Sequence, residues 1–216
     1  MPTPHVANWT RFSLRSLFIL MTAFCLLFGT WAAFVNPFRI QLRSLAVVNR
    51  LGGETLAEPA DGKNWHRWLV NTMLGDGAFV HIVAVNLSGK NVDDDTLRSL
   101  TGLTHLQLLA LDYTKISDDG LSSLRAMRDL DSLSLKFNNI TDRGVPHLVA
   151  LPKLRHAMLM GTRISDDGVP NLSRLPEVSD LFIRWTGISN AGADRLRAAL
   201  PKCKIYHHAL IHEAAP

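Results

Sequence analysis

Twenty-four residues is the interval at which this chain repeats itself, and no other feature restricts its fold as much. Five segments begin at Val83, Gln107, Asp131, Arg155 and Ser179 and follow one another without insertion. The third position reads Val85, Leu109, Leu133, Ala157 and Leu181, and the fifth reads Leu87, Leu111, Leu135, Leu159 and Ile183. The tenth holds Val92, Ile116, Ile140, Ile164 and Ile188, and the eighteenth holds Leu100, Leu124, Leu148, Leu172 and Leu196. Apolar residues at three and five with varied neighbours have the period of a strand with one buried face. The eleventh position is Asp93, then Ser117, Thr141, Ser165 and Ser189, residue types whose oxygens cap the free amides of a helix start. Asp94, Asp118, Asp142 and Asp166 follow, where the positive end of a helix dipole favours an anion. Each unit is therefore expected to be a short strand, a turn and a helix. None can bury its apolar side alone, so the units must stack along one axis.

The pattern Leu-x-Leu-x-x-x-x-Ile-Ser/Thr-Asp-x-Gly-Leu/Val-x-x-Leu resembles leucine-rich repeats, in the 24-residue form of bacterial proteins, similar to the repeats of F-box adaptors. The resemblance implies an α/β solenoid with parallel strands on one face and helices on the other. A short basic tail, an apolar span and a helix ending at Leu51-Gly52-Gly53 ahead of the repeats look like the membrane-anchored repeat proteins of planctomycetes. The segment Leu200-Pro201-Lys202-Cys203-Lys204-Ile205 resembles the strand that closes such arrays. Two departures stand out: Thr96 occupies a column that holds Gly in the other repeats, and Thr114, Thr162 and Thr186 stand where many such families carry Asn. No F-box motif is visible, so ubiquitin ligation is not implied.

Residues 17–35 carry no charge, and as a helix rising ~1.5 Å per residue they would extend roughly 28 Å, near the ~30 Å of a bilayer's hydrocarbon core. A cleaved signal peptide has a shorter apolar stretch, and a buried soluble helix would show a polar face. One transmembrane helix is therefore expected ahead of the solenoid, stopping near Pro37. Arg11 and Arg15 on one flank face Arg39, Arg43 and Arg50 on the other, which leaves the orientation open. The expected organisation is a basic tail at 1–16, an anchor at 17–35 and juxtamembrane helices with a cap at 36–82. The repeats then occupy 83–202, and a terminal strand and tail fill 203–216. Trp65, Trp68, Leu69, Thr72 and Met73 have helical spacing, and the tryptophans are assigned to the cap that a solenoid's first unit needs.

The net charge of +4 belongs to the N-terminal part: residues 83–202 hold 15 basic and 14 acidic side chains, and no acid precedes Glu54. An interleaved surface of that kind argues against nucleic acid as a partner. Cys25 and Cys203 lie too far apart in kind and place to be expected to pair. His208 and His212 are four apart beside Glu213, but nothing around them supports a helix, and a solvated tail is the preferred reading over a metal site. No phosphate loop, nucleophile elbow or HExxH occurs, so neither a cofactor, a small-molecule substrate nor an enzyme is expected.

Binding is expected on the exposed side of the stacked strands, at positions four, six and seven. The candidates for contact with a protein partner are Asp112, Tyr113, Lys136, Phe137, Met158, Met160, Phe182, Arg184 and Trp185, which include the types enriched at recognition surfaces. The aromatics at position seven have an alternative: folding over the strand edge as packing. The sequence thus points to a single-pass, membrane-anchored, non-catalytic interaction module. A structural envelope protein that associates with its own copies is the second reading.

Overall fold

The computed structural model describes residues 14–60, 64–75 and 79–207, without the side chains of 14–20, 30, 34 and 64–66. The basic tail before Leu14, residues 61–63, the Trp65 side chain and the His208/His212 pair lie outside the described residues.

Seven strands form one sheet in chain order: β1 (Glu54–Pro59), β2 (Val80–Asn86), β3 (Leu108–Ala110), β4 (Ser132–Ser134), β5 (His156–Met158), β6 (Asp180–Phe182) and β7 (Lys204–Tyr206). From β2 onward every pair is parallel, and each residue faces the one 24 positions later: Val85 lies opposite Leu109, Leu109 opposite Leu133, and so on to Leu181 opposite Ile205. The sequence period is thus the ladder register itself. The return side carries short helices, α4 (Asp94–Ser99), α5 (Val145–Val149), α6 (Val169–Leu172) and α7 (Asn190–Ala199). In the second repeat a 3-10 turn over Gly120–Ala126 replaces the α-helix. The four apolar columns read from sequence lie between sheet and helices and are almost completely buried, in one continuous core from Val48 to Leu196.

The polar columns do more than cap helices. Asp93, Ser165 and Ser189 do accept from the amides of Thr96, Asp167 and Gly192. The aspartates expected to answer a helix dipole, however, point to the next repeat. Asp94 accepts from the Ser117 amide at 2.9 Å and its hydroxyl at 2.5 Å. Asp118 holds Thr141 in the same way, Asp142 holds Ser165, and Asp166 holds Ser189. A carboxylate seated there leaves no room for a side chain above it. A Cβ added at Gly120, Gly144, Gly168 or Gly192 would overlap Oδ1 of Asp94, Asp118, Asp142 or Asp166 respectively. Thr96, in the first repeat, departs from this column and instead donates its hydroxyl to Asp93 at 2.6 Å. In the fifth repeat Asn190 replaces the aspartate.

The N-terminal side of the solenoid is closed differently from the sequence-based expectation. Helix α1 (Leu14–Thr30) passes through a π-helical turn at Trp31–Val35 directly into α2 (Asn36–Arg50), so the helix does not stop at Pro37. The wider turn just ahead of the proline accommodates its ring and its missing amide donor. The stretch Met21–Arg50 is long and apolar enough to cross a membrane. Met21, Phe24, Leu26, Leu27 and Phe28 on it are exposed. The last turns of α2 form the cap: Val48 joins the main core, Ser44 Oγ donates to the Ser99 carbonyl at 2.8 Å, and Gln41 Nε2 donates to the Val80 carbonyl at 2.6 Å. Beside it β1 pairs antiparallel with β2, where the sequence suggested no strand. Helix α3 (Asn64–Leu74) contributes Val70 to a small cluster with Phe38, Ala60 and Phe79. Trp68 is not part of the cap, since its side chain is 67% exposed.

The inter-repeat carboxylate and the glycine above it should behave as one unit. Gly144→Ala alone is expected to cost about 1–3 kcal/mol through overpacking. In an Asp118→Ala background the same change should cost roughly 1 kcal/mol less, because the overlap is partly relieved. Urea unfolding of the four variants in detergent checks this, and strict additivity would refute the close-contact explanation.

Candidate interaction face

The side chains at positions two, four and six of each repeat point away from the core and form the open face of the sheet, and position seven forms its rim. Position seven must turn the chain from strand to loop, and it does so with a left-handed backbone: φ is +70° at Gly89, +54° at Tyr113, +56° at Phe137, +68° at Gly161 and +56° at Trp185. Glycine reaches that conformation freely, whereas a residue with a Cβ pays roughly 1–2 kcal/mol. Three of the five rim positions nevertheless carry aromatics. Their rings form a ladder: Tyr113 stacks on Phe137 with centroids 4.6 Å apart, and Phe137 meets Trp185 at 5.9 Å. The Phe137 ring lies in the space a Gly161 side chain would fill, which lets it span the intervening repeat. Tyr113 and Trp185 stay 62% and 63% exposed and Phe137 38%, so the rings pack on one another without leaving solvent.

The remaining candidates divide into two groups. Asp112 and Lys136 belong to the scaffold. Asp112 is buried, accepts from the Ser134 hydroxyl and from the Lys136 amide at 3.0 Å, and pairs with Lys136 Nζ at 2.9 Å. The Lys136 side chain, expected to point freely to solvent, is 28% exposed and folds back over this carboxylate. Met158, Met160, Phe182 and Arg184 are half-buried on the open face. Phe182 stacks on Tyr206 at 4.2 Å with the ring planes nearly parallel, which ties β6 to the last strand. Arg184 has a buried Nε with no partner among the described residues. Sequence reasoning did not find Tyr206, although its position 24 residues after Phe182 supplied the signal.

A cavity of about 730 Å³ lies elsewhere, along the loops that enter the strands, and is lined by Gln107, Asp129, Asp131, Pro152, Lys153, Arg155 and Glu177. Two pairs of its charges answer one another: Lys153 bonds Asp129 at 2.6 Å and Arg155 lies 3.6 Å from Asp131, while nearby His105 lies 3.3 Å from Asp129 and His156 3.1 Å from Asp180. The hydrogen bond from Lys153 holds the Asp129 carboxyl below the usual range, and that from Ser179 does the same for Asp180. Burial pushes the Cys203 thiol up to about 11, so it is protonated at neutral pH and a poor nucleophile. No group of three or more metal-ligating side chains occurs among the described residues.

Strands at a 24-residue register, a short helical return and a continuous leucine core define a leucine-rich repeat solenoid. The family profile described as Leucine Rich repeat matches residues 102–124 and 126–145. Among solved structures the chain is similar to an internalin C2 of Listeria monocytogenes, with 26% identity over 55% of this chain and 51% of that one, at a TM-score of 0.43. It is also similar to a leucine-rich repeat protein of Leptospira interrogans, with 20% identity over 50% of this chain and 33% of that one, at a TM-score of 0.37. The chain therefore spans about half and a third of those two proteins. No curated protein matches it.

The Asp112–Lys136 pair yields a stability test. Lys136→Ala should cost about 1–3 kcal/mol, since it strips the cation from a buried carboxylate. Asp112→Ala combined with Lys136→Ala should cost clearly less than the sum of the two single changes. A Lys136→Ala change without measurable effect on the unfolding midpoint would show that the pair is idle.

Proposed function

We propose that the protein is a membrane-anchored, non-catalytic module that binds another protein on the open face of its sheet. The observation that carries this reading is the rim ladder of Tyr113, Phe137 and Trp185. Three exposed aromatics are held in a backbone conformation that costs each of them free energy, while Gly89 and Gly161 show that the same turn is made without that cost. Strain kept at solvent-facing aromatic positions favours a role in recognition over one in stability. Beside the ladder lie Met158, Met160, Phe182 and Arg184, adaptable apolar surface with one unsatisfied cationic donor. The paired Asp112 and Lys136 border this patch and keep it rigid. The anchor reading rests on the exposed apolar helix that enters α2, and on the resemblance to membrane-anchored repeat proteins.

Two measurements test the two halves of the reading. The full chain should stay with the membrane after alkaline carbonate extraction, and its release would remove the anchor. A photocrosslinking amino acid at Phe137 or Trp185, in native membranes, should capture a distinct protein, whereas one at Arg125 on the helical side should not. Trp185→Ala, a change at a 63% exposed side chain, should abolish capture from Phe137 while leaving the melting curve within a few degrees. Capture of a second copy of the same chain would favour the self-associating envelope role. Capture only from Arg125 would move the partner to the helical side.

A further inference from the structure

The helix α3 presents its apolar stripe to the outside. At 3.6 residues per turn, residues 68, 69, 72 and 73 fall within an arc of about 140°, and Val70 and Leu74 lie on the opposite side. Val70 is fully buried against Phe38, Ala60 and Phe79, with Leu74 packed beside it. Trp68 and Met73 are 67% and 61% exposed, Thr72 is exposed and Leu69 is half-buried. A soluble domain of this size has no reason to seat a small contact inward and turn its tryptophan outward. The surroundings supply one. Helix α3 packs against the Trp31–Val35 turn, at the end of the uncharged stretch that is read as the anchor. The exposed Arg39 and Arg43 follow on α2, and the exposed Arg67 flanks Trp68 on α3. An apolar stripe edged by tryptophan, with arginines at the same level, matches the headgroup zone of a bilayer, where indole rings and cations are both favoured.

We propose that α3 is a membrane-surface helix whose Trp68–Met73 stripe seats among the headgroups of the bilayer that the apolar helix crosses. This rests on the anchor reading. Because β1 and β2 bracket α3 in the chain, docking it fixes the tilt of the solenoid and with it the direction in which the aromatic rim faces. The occupant is a phospholipid surface. A second copy of the chain is the competing outcome.

The test uses the full chain reconstituted in phosphatidylcholine/phosphatidylglycerol vesicles, with an environment-sensitive dye on one cysteine at a time. One form keeps the native Cys25 and carries Cys203→Ser. Two others carry Cys25→Ser and Cys203→Ser with either Thr72→Cys or Ser122→Cys. The dye at Cys25 should be quenched by nitroxides placed on the acyl chains, which checks the anchor. The dye at Thr72→Cys should lose most of its emission to headgroup nitroxides, and Trp68→Glu should restore it. The dye at Ser122→Cys, on the exposed helical side, should be quenched by neither. Quenching at Cys25 with water-like, unquenched emission at Thr72→Cys would overturn the surface helix and leave the anchor standing. No quenching at Cys25 would overturn both. A shielded dye at Thr72→Cys that ignores lipid nitroxides and responds to protein density would assign the stripe to a second copy, against the proposal.

Discussion

A carboxylate passed from each repeat to the next sets the geometry of the array. Asp94, Asp118, Asp142 and Asp166 each take two hydrogen bonds from the Ser or Thr one repeat ahead. The apolar columns supply most of the stabilisation, since a stack of leucines removes large areas from water. Leucines alone would tolerate sliding, whereas a two-point bond to a carboxylate does not. The glycine above each aspartate records the same constraint in steric form, and from β2 to β6 it accompanies a uniform offset of the strand ladder.

The functional surface inherits that regularity. Because each rim residue sits one repeat from the next, three aromatics come into register without any loop being shaped for the purpose, and Gly161 clears the single gap. Asp112 and Lys136 brace the second and third repeats across the same face. The cavity along the entering loops, by contrast, is bordered by paired charges, Lys153 with Asp129 and Arg155 with Asp131.

The solenoid was legible in the sequence because its columns recur: strand register, core positions and the sense of the helices all follow from one period. The candidate face was legible as a set of positions, but not in its division of labour. Nothing in the sequence separates Lys136, drawn over a buried carboxylate, from Arg184 on the same column. The N-terminal region was misread for a physical reason. Helical spacing shows which residues of α3 share a side, and it cannot say whether that side meets protein or another apolar phase, so Trp68 was placed in the cap. Strand β1 escaped notice because all six of its residues are exposed and give no alternation to read.

Thr96 and Asn190 carry a consequence for how such an array can lengthen. Both depart from the columns of the inner units, so the two outer units are chemically distinct from the three between them. A duplicated inner unit would arrive with its donor, its acceptor and its cleared space all in place. A unit appended beyond either end would meet a methyl-bearing side chain or an amide where it needs a gap or a carboxylate. The column chemistry therefore suits lengthening by insertion of an inner unit better than by addition to Thr96 or Asn190.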